Sequence, residues 1–361
     1  MKSMAWVPPA LVTAILLLGL WTSEVCAQED GRWTDAFALN GDLRLRYESI
    51  EEEDLNDRER ERYRARLSLS ATANDKFKAV IQLASGGDNP VSANQDFEDS
   101  LDIRLDLAYV DWTPNDHTHA YGGTMNNPMF RVGDNPLIWD GDLNPEGVAM
   151  TFQPGRFFGS IGGFVVAKRS GSDDSWLYTG QGGVKLDVAD GAIFTAGAGY
   201  YHYTNTIGNK PFYRDRPKGN SVDAEGNFLF SYHLLEVFAQ YEIAIGNWPI
   251  TVFTNWVQNT EVDIEDTAYA LGIKVGKARE QGKMQFSWAF MDIGADAAMG
   301  IFTDSDFAAG NTDSRGHLLK AKYALTKSFF LGGTLILTDV DISSGNKHDY
   351  TRLQLDIEYK F

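Results

Sequence analysis

The last ten residues of the chain, RLQLDIEYKF, alternate strictly between polar and apolar side chains and end on an aromatic residue. One face carries Leu353, Leu355, Ile357, Tyr359 and Phe361, and the other face carries only charged or polar residues. A period of two is typical of a β-strand that separates two environments. The same period dominates from residue 36 onward, and helical spacing is sustained nowhere. The sequence therefore predicts an all-β, antiparallel fold, although a soluble sandwich would alternate in the same way.

The links between the alternating segments sort into short and long ones. Short turns are expected near residues 74–75, 114–115, 153–154, 189–190, 246–247, 277–282 and 326–327. Long links are expected near residues 50–59, 86–100, 125–146, 168–175, 204–227, 259–266, 292–316 and 340–347. These seven turns and eight loops predict sixteen strands. Short turns at one end and long loops at the other are typical of an outer-membrane barrel, whereas a sandwich has no reason to sort its links.

Closure of the sheet explains how such a chain can enter a membrane. No stretch after residue 27 approaches the roughly 20 apolar residues that a transmembrane helix needs. In lipid every backbone N–H and C=O group must be paired within the protein, so a sheet must close on itself. Sixteen strands leave a lumen wide enough for water. We therefore expect a transmembrane antiparallel β-barrel with polar inward positions.

The N-terminus has the pattern of a secretory signal peptide. A basic residue at position 2 precedes an apolar run at 10–20, and small residues lead to a cleavage point after Ala27. Lipidation of Cys26, the only cysteine, is the alternative, but the preceding Ser-Glu-Val is a poor lipidation signal. The chain thus divides into a signal peptide at 1–27, a short N-terminal segment at 28–35 and a barrel domain at 36–361.

Three segments depart from simple alternation, in two different ways. The segment 101–112 changes phase near Ala108, which indicates a bulge or a strand end. The segments 158–166 and 250–257 carry apolar residues on both faces. Contacts between subunits would explain the second pattern, and so would a wrong register.

Several stretches resemble the bacterial putative-porin family, a relative of the general-diffusion porins. They are LASGGDNPVS at 83–92, AYVDWTP at 108–114, WDGDLNPEG at 139–147, FTDSDF at 302–307 and TDSRGH at 312–317. The resemblance implies passive transport of small hydrophilic solutes and ions, an outer-membrane location and a homotrimer, with no enzyme activity and no fixed substrate. The terminal strand ending at Phe361 looks like the signal that the barrel assembly machinery reads.

The long link at 125–146 is expected to form the constriction of the pore. It follows the fifth predicted strand, and in general porins the loop at this position folds into the barrel. Its asparagine, proline and glycine content suits an irregular inward path. Its carboxylates, which we expect to line the constriction, are Asp134, Asp140, Asp142 and Glu146. The alternative is an ordinary exposed loop.

Six arginines share the inward face of the first two predicted strands. They are Arg44, Arg46, Arg60, Arg62, Arg64 and Arg66. An arginine that faced lipid at the bilayer midplane would cost about 2–4 kcal/mol, so we expect this wall to face water. A basic wall opposite an acidic loop would create a transverse field. The alternative is that the arginines pair with neighbouring glutamates and stiffen the wall.

The charge balance leaves the ion preference open. The net charge of −18 excludes nucleic acid as a natural partner and favours cations in the pore. The arginine ladder, however, loosely resembles the arginine track of phosphate-selective porins. The local balance at the narrowest point decides between the two.

Other chemistry is sparse in the sequence. It predicts no cofactor and no metal site; Asp304 and Asp306 could offer oxygen ligands to calcium, but the pattern of a calcium loop is incomplete. No serine-hydrolase, phosphate-loop or zinc-protease motif is present. Beside the diffusion channel, the competing functions are an outer-membrane enzyme such as a barrel lipase, a plugged structural or adhesin barrel, and a channel specific for phosphate or a sugar.

Overall fold

Seventeen antiparallel strands form a single sheet in the computed structural model, which describes residues 36–53, 55–99 and 101–361. Sixteen of them build a ring. They are β1 Phe37–Glu52, β2 Arg58–Asn74, β3 Phe77–Ser85, β4 Ile103–Asn115, β5 Thr118–Thr124, β6 Glu146–Phe152, β7 Phe157–Ala167, β8 Ser175–Ala189, β9 Ala192–Tyr203, β10 Tyr232–Ile245, β11 Trp248–Asn259, β12 Thr267–Gly276, β13 Met284–Ile293, β14 Ser314–Ala324, β15 Phe329–Val340 and β16 His348–Lys360. The remaining strand, Gln95–Asp96, has two residues and pairs with β2.

The predicted signal peptide at 1–27 and the segment at 28–35 lie outside the described residues. From Phe37 to Phe361 the chain forms one compact unit. Among the described residues, no helix has the length and apolar character to cross a membrane.

The ring closes where β1 meets β16. The two strands pair antiparallel from Asp42 opposite Lys360 to Glu52 opposite Tyr350. Beyond that register, the backbone N–H of Gly41 donates to the carbonyl of Phe361 at 3.0 Å. Because every strand of the ring pairs with a neighbour on each side, no sheet edge is left to be satisfied by lipid. The predicted closed barrel of sixteen antiparallel strands is confirmed.

The two faces of the wall are the reverse of those in a soluble protein. On β16, Leu355 is 51% exposed, whereas Gln354 and Arg352 are 1% and 4% exposed. The outer face thus carries the apolar residues, and the inner face carries the polar ones. This distribution suits hydrocarbon outside the ring and water or polar groups within it.

Exposed aromatic residues mark both ends of the strands. At the end with the short turns they are Phe77, Phe157, Trp248, Phe329 and Tyr359. At the end with the long loops they include Tyr178, Tyr200 and Tyr269. Such rings at both levels are typical of the aromatic girdles at membrane interfaces.

The phase change in β4 is a β-bulge. Leu105 pairs with Leu83 and Leu107 pairs with Gln82, so Asp106 is the extra residue. Leu105 is exposed on the outer face, and Leu107 is buried. The bulge therefore switches the face that alternate residues present, as the sequence indicated.

The inward apolar residues of β7 and β11 have a different origin from either explanation that the sequence offered. Phe158 of β7 packs against Phe130, and Phe253 of β11 lies against Gly133. Phe130 and Gly133 both belong to the long link between β5 and β6. These strands are apolar on their inner faces because a loop covers them there.

Candidate functional site

The six predicted arginines lie on the inner face of β1 and β2, and five of them contact carboxylates from the wall or the loops. The outer face of the same strands carries exposed leucines such as Leu43, Leu45, Leu67 and Leu69. Strict alternation therefore directs every one of these arginines away from lipid. We call the six arginines, Arg352 and the carboxylates that they contact the arginine cluster.

Arg46 and Arg352 share one carboxylate that comes from a loop. The Arg46 Nη1 atom lies 3.2 Å from Oδ2 of Asp306, and the Arg352 Nη2 atom lies 2.8 Å from Oδ1 of the same residue. Arg46 also donates from Nε to Asp356 of β16 at 2.7 Å. Asp306 belongs to the link between β13 and β14, so this loop is tied to the wall at the seam of the barrel.

Glu48 is fully buried and is surrounded by guanidinium groups. Arg352 donates from Nε to its Oε2 at 3.0 Å, and Arg60 donates from Nε to its Oε1 at 2.8 Å. Arg62 lies farther from it, with Nη1 3.9 Å from Oε1, and pairs more closely with Asp96, with Nε 2.6 Å from Oδ1. The mutual repulsion of these cations is thus offset by carboxylates within the same layer.

Asp142 is the carboxylate through which the link at 125–146 reaches the arginines. Its Oδ1 lies 3.3 Å from Nη1 of Arg64 and 3.5 Å from Nη1 of Arg66. Both arginines also pair with Asp42 of β1, at 2.9 and 2.7 Å. These arginines therefore contact a wall carboxylate and a loop carboxylate together.

Arg44 differs from the other five arginines. It donates from Nη2 to Oδ1 of Asn94 at 2.5 Å, and its Nε is buried without a hydrogen-bond partner. Within the described part of the chain, no carboxylate lies within 4.0 Å of it. Among the described residues, Arg44 is thus the arginine of these six that forms no ion pair, and Asp356 and Asp142 act on its charge only from a distance.

The four carboxylates expected in the constriction do not lie together, and they have different partners. Only Asp142 meets the arginine cluster, whereas Asp134 pairs with Lys274 of β12. Asp140 is buried and accepts hydrogen bonds from the backbone N–H groups of Asp142 and Ser305, at 2.7 and 2.8 Å.

Glu146 does not belong with the other three carboxylates. It begins β6 on the face that carries the exposed Val148 and Met150, so it points away from the arginines. The loop ends one residue earlier than the sequence pattern suggested, and strand alternation sets the direction of this side chain.

Burial has a clear electrostatic effect on Asp140. Removal from water raises the pKa of its carboxyl well above the usual value, and the neighbouring carboxylates of Asp304 and Asp142 raise it further. Burial would also raise the pKa of Asp306, but the guanidinium groups of Arg352 and Arg46 outweigh that effect and hold it below its usual value. Asp306 is therefore an ion-pair partner of the arginines in this structure.

The opposite wall holds the link at 125–146 by polar contacts. The N–H of Gly133 donates to Oε1 of Gln240 on β10 at 3.0 Å. Gln181 of β8 both accepts from the N–H of Phe130 and donates to its carbonyl, at 2.8 and 2.9 Å. Contacts with β2 on one side and with β8 and β10 on the other mean that this link spans the ring.

Aromatic side chains fill the space beside this link. Phe130 packs between Phe158 and Phe238, with ring centroids 5.1 and 5.4 Å away. Trp139 lies 5.9 Å from the ring of Tyr201 and 6.3 Å from that of Phe302. One half of the ring is therefore occupied by an apolar cluster, and the other half contains the arginine cluster.

Sequence reasoning missed Arg352 and the pairing role of Asp306. Arg352 has the same parity as the inward residues of the terminal strand, so alternation could have identified it. One partner of Asp306, Arg46, lies 260 residues away along the chain, and no local pattern encodes that contact. Among residues 36–361, positions 54 and 100 aside, no group of three or more His, Cys, Asp or Glu side chains is arranged to hold a metal ion.

Comparison with known protein families gives one match. The family model described as putative porin matches residues 50–226 and 236–361. No curated protein sequence matches the chain.

Solved structures share the fold at low sequence identity. The high-pH structure of OprB from Pseudomonas putida is 14% identical and has a TM-score of 0.62, with 90% of this chain and 94% of that chain covered. A loop-deletion mutant of OmpT, an outer membrane protein of Vibrio cholerae, is 13% identical with a TM-score of 0.51, covering 91% and 100%. A triple mutant of the porin from Rhodopseudomonas blastica is 11% identical with a TM-score of 0.53, covering 90% and 100%.

The similarity to the solved structures establishes the barrel fold. The family match extends over most of the chain and points to a channel rather than an enzyme. The chain therefore belongs to the putative-porin family of outer-membrane channels.

Proposed function

We propose that this barrel is a passive diffusion channel for small hydrophilic solutes and ions. The observation that carries the proposal is the charged inner wall, where seven arginines and their carboxylates line β1, β2 and β16 behind an apolar outer face. Apolar side chains would suffice on the inner wall if the barrel were merely a plug, because packing needs no charge. A charged wall beside water lets polar solutes replace their hydration shells as they pass.

The link at 125–146 is proposed as the constriction of this channel. Support comes from its contacts with β2 through Asp142 and with β10 through Gly133. The aromatic cluster packs on its far side, so solutes would pass between the link and the arginines. Charges a few ångströms apart interact by about 1 to 4 kcal/mol in a wet site, which is enough to orient a dipolar solute.

Reconstitution into a planar lipid bilayer tests the proposal. We expect discrete conductance steps in potassium chloride and uptake of small sugars by vesicles that contain the protein. A reversal potential measured in a salt gradient should shift toward cations in the variant Arg62→Glu with Arg64→Glu. Glu59→Gln, at an exposed position beside the same strand, is the control that should leave the potential in place.

A plugged barrel is the competing function, and one observation favours it. Residues from three long links, among them Trp139, Phe212 and Phe302, pack together inside the ring. A plugged barrel would give no conductance steps. A channel specific for phosphate or a sugar would conduct, and its own solute would block the current.

Export and assembly complete the proposal. Cleavage after Ala27 would leave Gln28 at the N-terminus, which mass spectrometry of the purified protein can verify. Deletion of Phe361 should lower the amount of folded protein in the outer membrane, because this residue is both the proposed recognition signal and a backbone partner of Gly41. Chemical crosslinking in detergent should capture homotrimers. Detection of monomers alone would contradict the proposed trimer.

A further inference from the structure

A cavity of about 280 Å³ lies beside the arginine cluster at the end of the barrel with the long loops. Its walls come from β2 and from the three links that follow β3, β9 and β13. Its charged residues are four cations, Arg62, Arg214, Arg216 and Lys218, and a single carboxylate, Asp88. In a chain with a net charge of −18, this is a local excess of positive charge.

Two of the four cations already form ion pairs with carboxylates. Arg62 pairs with Asp96 at 2.6 Å, and Arg214 pairs with Asp88 at 2.5 Å. Asp88 also accepts a hydrogen bond from the hydroxyl of Tyr213 at 2.9 Å. The only carboxylate of the cavity is therefore held by other groups.

The other two cations have no acidic partner. Within the described residues, no carboxylate lies within 4.0 Å of Arg216 or Lys218. Lys218 donates from Nζ to the carbonyl of Ala309 at 2.9 Å, which leaves its charge without compensation. Burial lowers the pKa of Lys218, and the guanidinium group of Arg216 lowers it further. An anion between the two side chains would offset both effects.

The backbone beneath these side chains is fixed in place. Lys218 has a φ of +53°, a conformation that costs a side-chain-bearing residue free energy. Its carbonyl accepts from the N–H of Thr312 at 3.0 Å. A Cβ atom on Gly300 would lie 2.1 Å from the same carbonyl, so the two links approach as closely as glycine allows. Asn220 adds a hydrogen bond to the carbonyl of Ala298 at 2.8 Å.

We propose that this cavity binds the oxyanionic group of a small solute, a phosphate or a carboxylate, between Arg216 and Lys218. The proposal rests on the channel function above, because the solute would be captured as it enters the pore. A guanidinium group can hold two oxygens of such an anion, and an ammonium group adds a point charge. The hydroxyl and amide groups of Ser92 and Asn89 line the same cavity and can accept or donate further hydrogen bonds.

Calorimetric titration of the intact protein in detergent tests the inference, with inorganic phosphate and succinate as probes. We expect millimolar or tighter binding of at least one probe to the wild type. The variant Arg216→Gln with Lys218→Gln should weaken it by about tenfold or more. Glutamine at 218 can still donate to the Ala309 carbonyl, so the loop contact is kept.

A matched control removes the same two charges elsewhere. Arg279 and Lys327 are exposed and lie in short turns at the opposite end of the barrel. Arg279→Gln with Lys327→Gln should leave binding unchanged. If both variants weakened binding equally, the loss would be caused by the change in net charge, and the proposed binding site would be overturned.

The single variant Arg216→Gln is not expected to disturb the fold, because the side chain of Arg216 is exposed and makes no ion pair in the described structure. It should weaken binding several-fold. Absence of binding by the wild type, in a protein that conducts in bilayers, would overturn the inference and leave the channel function intact. Binding without conductance would overturn the channel function and leave the anion site.

Discussion

Arg352 donates from Nε to Oε2 of Glu48 at 3.0 Å, and this buried pair joins the last strand of the barrel to the first. The two side chains are 4% and 0% exposed. Backbone hydrogen bonds close the ring in any register, whereas this pair forms in only one. The arginine cluster therefore helps to define how the barrel closes.

Arg352→Met should destabilise the barrel by about 3 kcal/mol, because it leaves the Glu48 carboxylate buried with less compensation. That value is at the lower end for a broken buried pair, since Arg60 still contacts Glu48. Urea unfolding in detergent measures the change. Arg315→Met breaks the exposed pair with Asp292 and should cost about 1 kcal/mol or less. Equal losses would show that burial of the pair is unimportant.

The lone arginine of the wall should affect ion selectivity more than its paired neighbours do. Arg44→Gln removes a positive charge that no carboxylate contacts directly in the described structure, so the reversal potential should move toward cations. An interaction of about 1 kcal/mol would change the local ion concentration about fivefold. Lys76→Gln, in an exposed turn, should have no effect. A potential that is unchanged in Arg44→Gln would place this side chain away from the ion path.

The contribution of Asp140 to stability should decrease as the pH rises from about 4 through the raised pKa of its carboxyl. The pKa of Asp140 is higher in the folded state than its unfolded value, chiefly because the group is buried. Between those two values the folded protein holds a proton that the unfolded chain releases, so raising the pH favours unfolding by at most about 1.4 kcal/mol per unit for each proton. Asp306 has the opposite shift, and its stabilising effect is lost only below its unfolded value.

Asp304→Asn should flatten that pH dependence. Burial is the main cause of the raised pKa of Asp140, and asparagine removes one of the two neighbouring carboxylates that raise it further; its Oδ1 can still accept from the N–H of Asp306. Unfolding free energies at three pH values would show the change in slope. Asp173→Asn, at an exposed position in a neighbouring loop, is expected to keep the wild-type slope. A wild type whose stability rises through this range would contradict the assignment.

Gly133 should be intolerant of a side chain for a reason beyond its backbone angle. Its φ is +57°, and a Cβ atom would lie 2.2 Å from the ring of Phe253. Gly155 has a φ of +61° with open space around it. Gly133→Ala should therefore cost about 1–3 kcal/mol more than Gly155→Ala, as overpacking does.

A second substitution tests the cause of that cost. Phe253→Ala combined with Gly133→Ala should recover part of the difference, because the clash is removed. Double-mutant analysis of urea unfolding gives the coupling energy. Strict additivity would mean that the two residues do not touch.

The lengths of the links predicted the strand count, and alternation of residues predicted the two faces of the wall. A period of two leaves each side chain only two directions, and lipid forbids one of them to arginine. The phase change was visible near Ala108 for the same reason, since a bulge shifts the period by one residue, and the structure places the extra residue at Asp106.

The partners of those wall residues could not be predicted in the same way. Asp142 reaches Arg64 and Asp306 reaches Arg46 because their loops follow irregular paths, and no period describes such a path. The apolar inner faces of β7 and β11 look like register errors until the loop that covers them is known. Glu146 was misassigned in the opposite direction. The composition of the segment placed it in the loop, but it is the first residue of β6 and follows the alternation of that strand.

The link at 125–146 has a consequence for the order in which the protein folds. Its contacts with Arg64 and with Gln240 involve opposite sides of the ring, so they can form together only after the last strand has met the first. The aromatic packing around Trp139 should consequently be the final event, and its fluorescence is expected to change in a slow phase after strand formation. If the fluorescence of Trp139 reached its final value as early as the strands form, the packed interior would instead be the template on which the wall assembles.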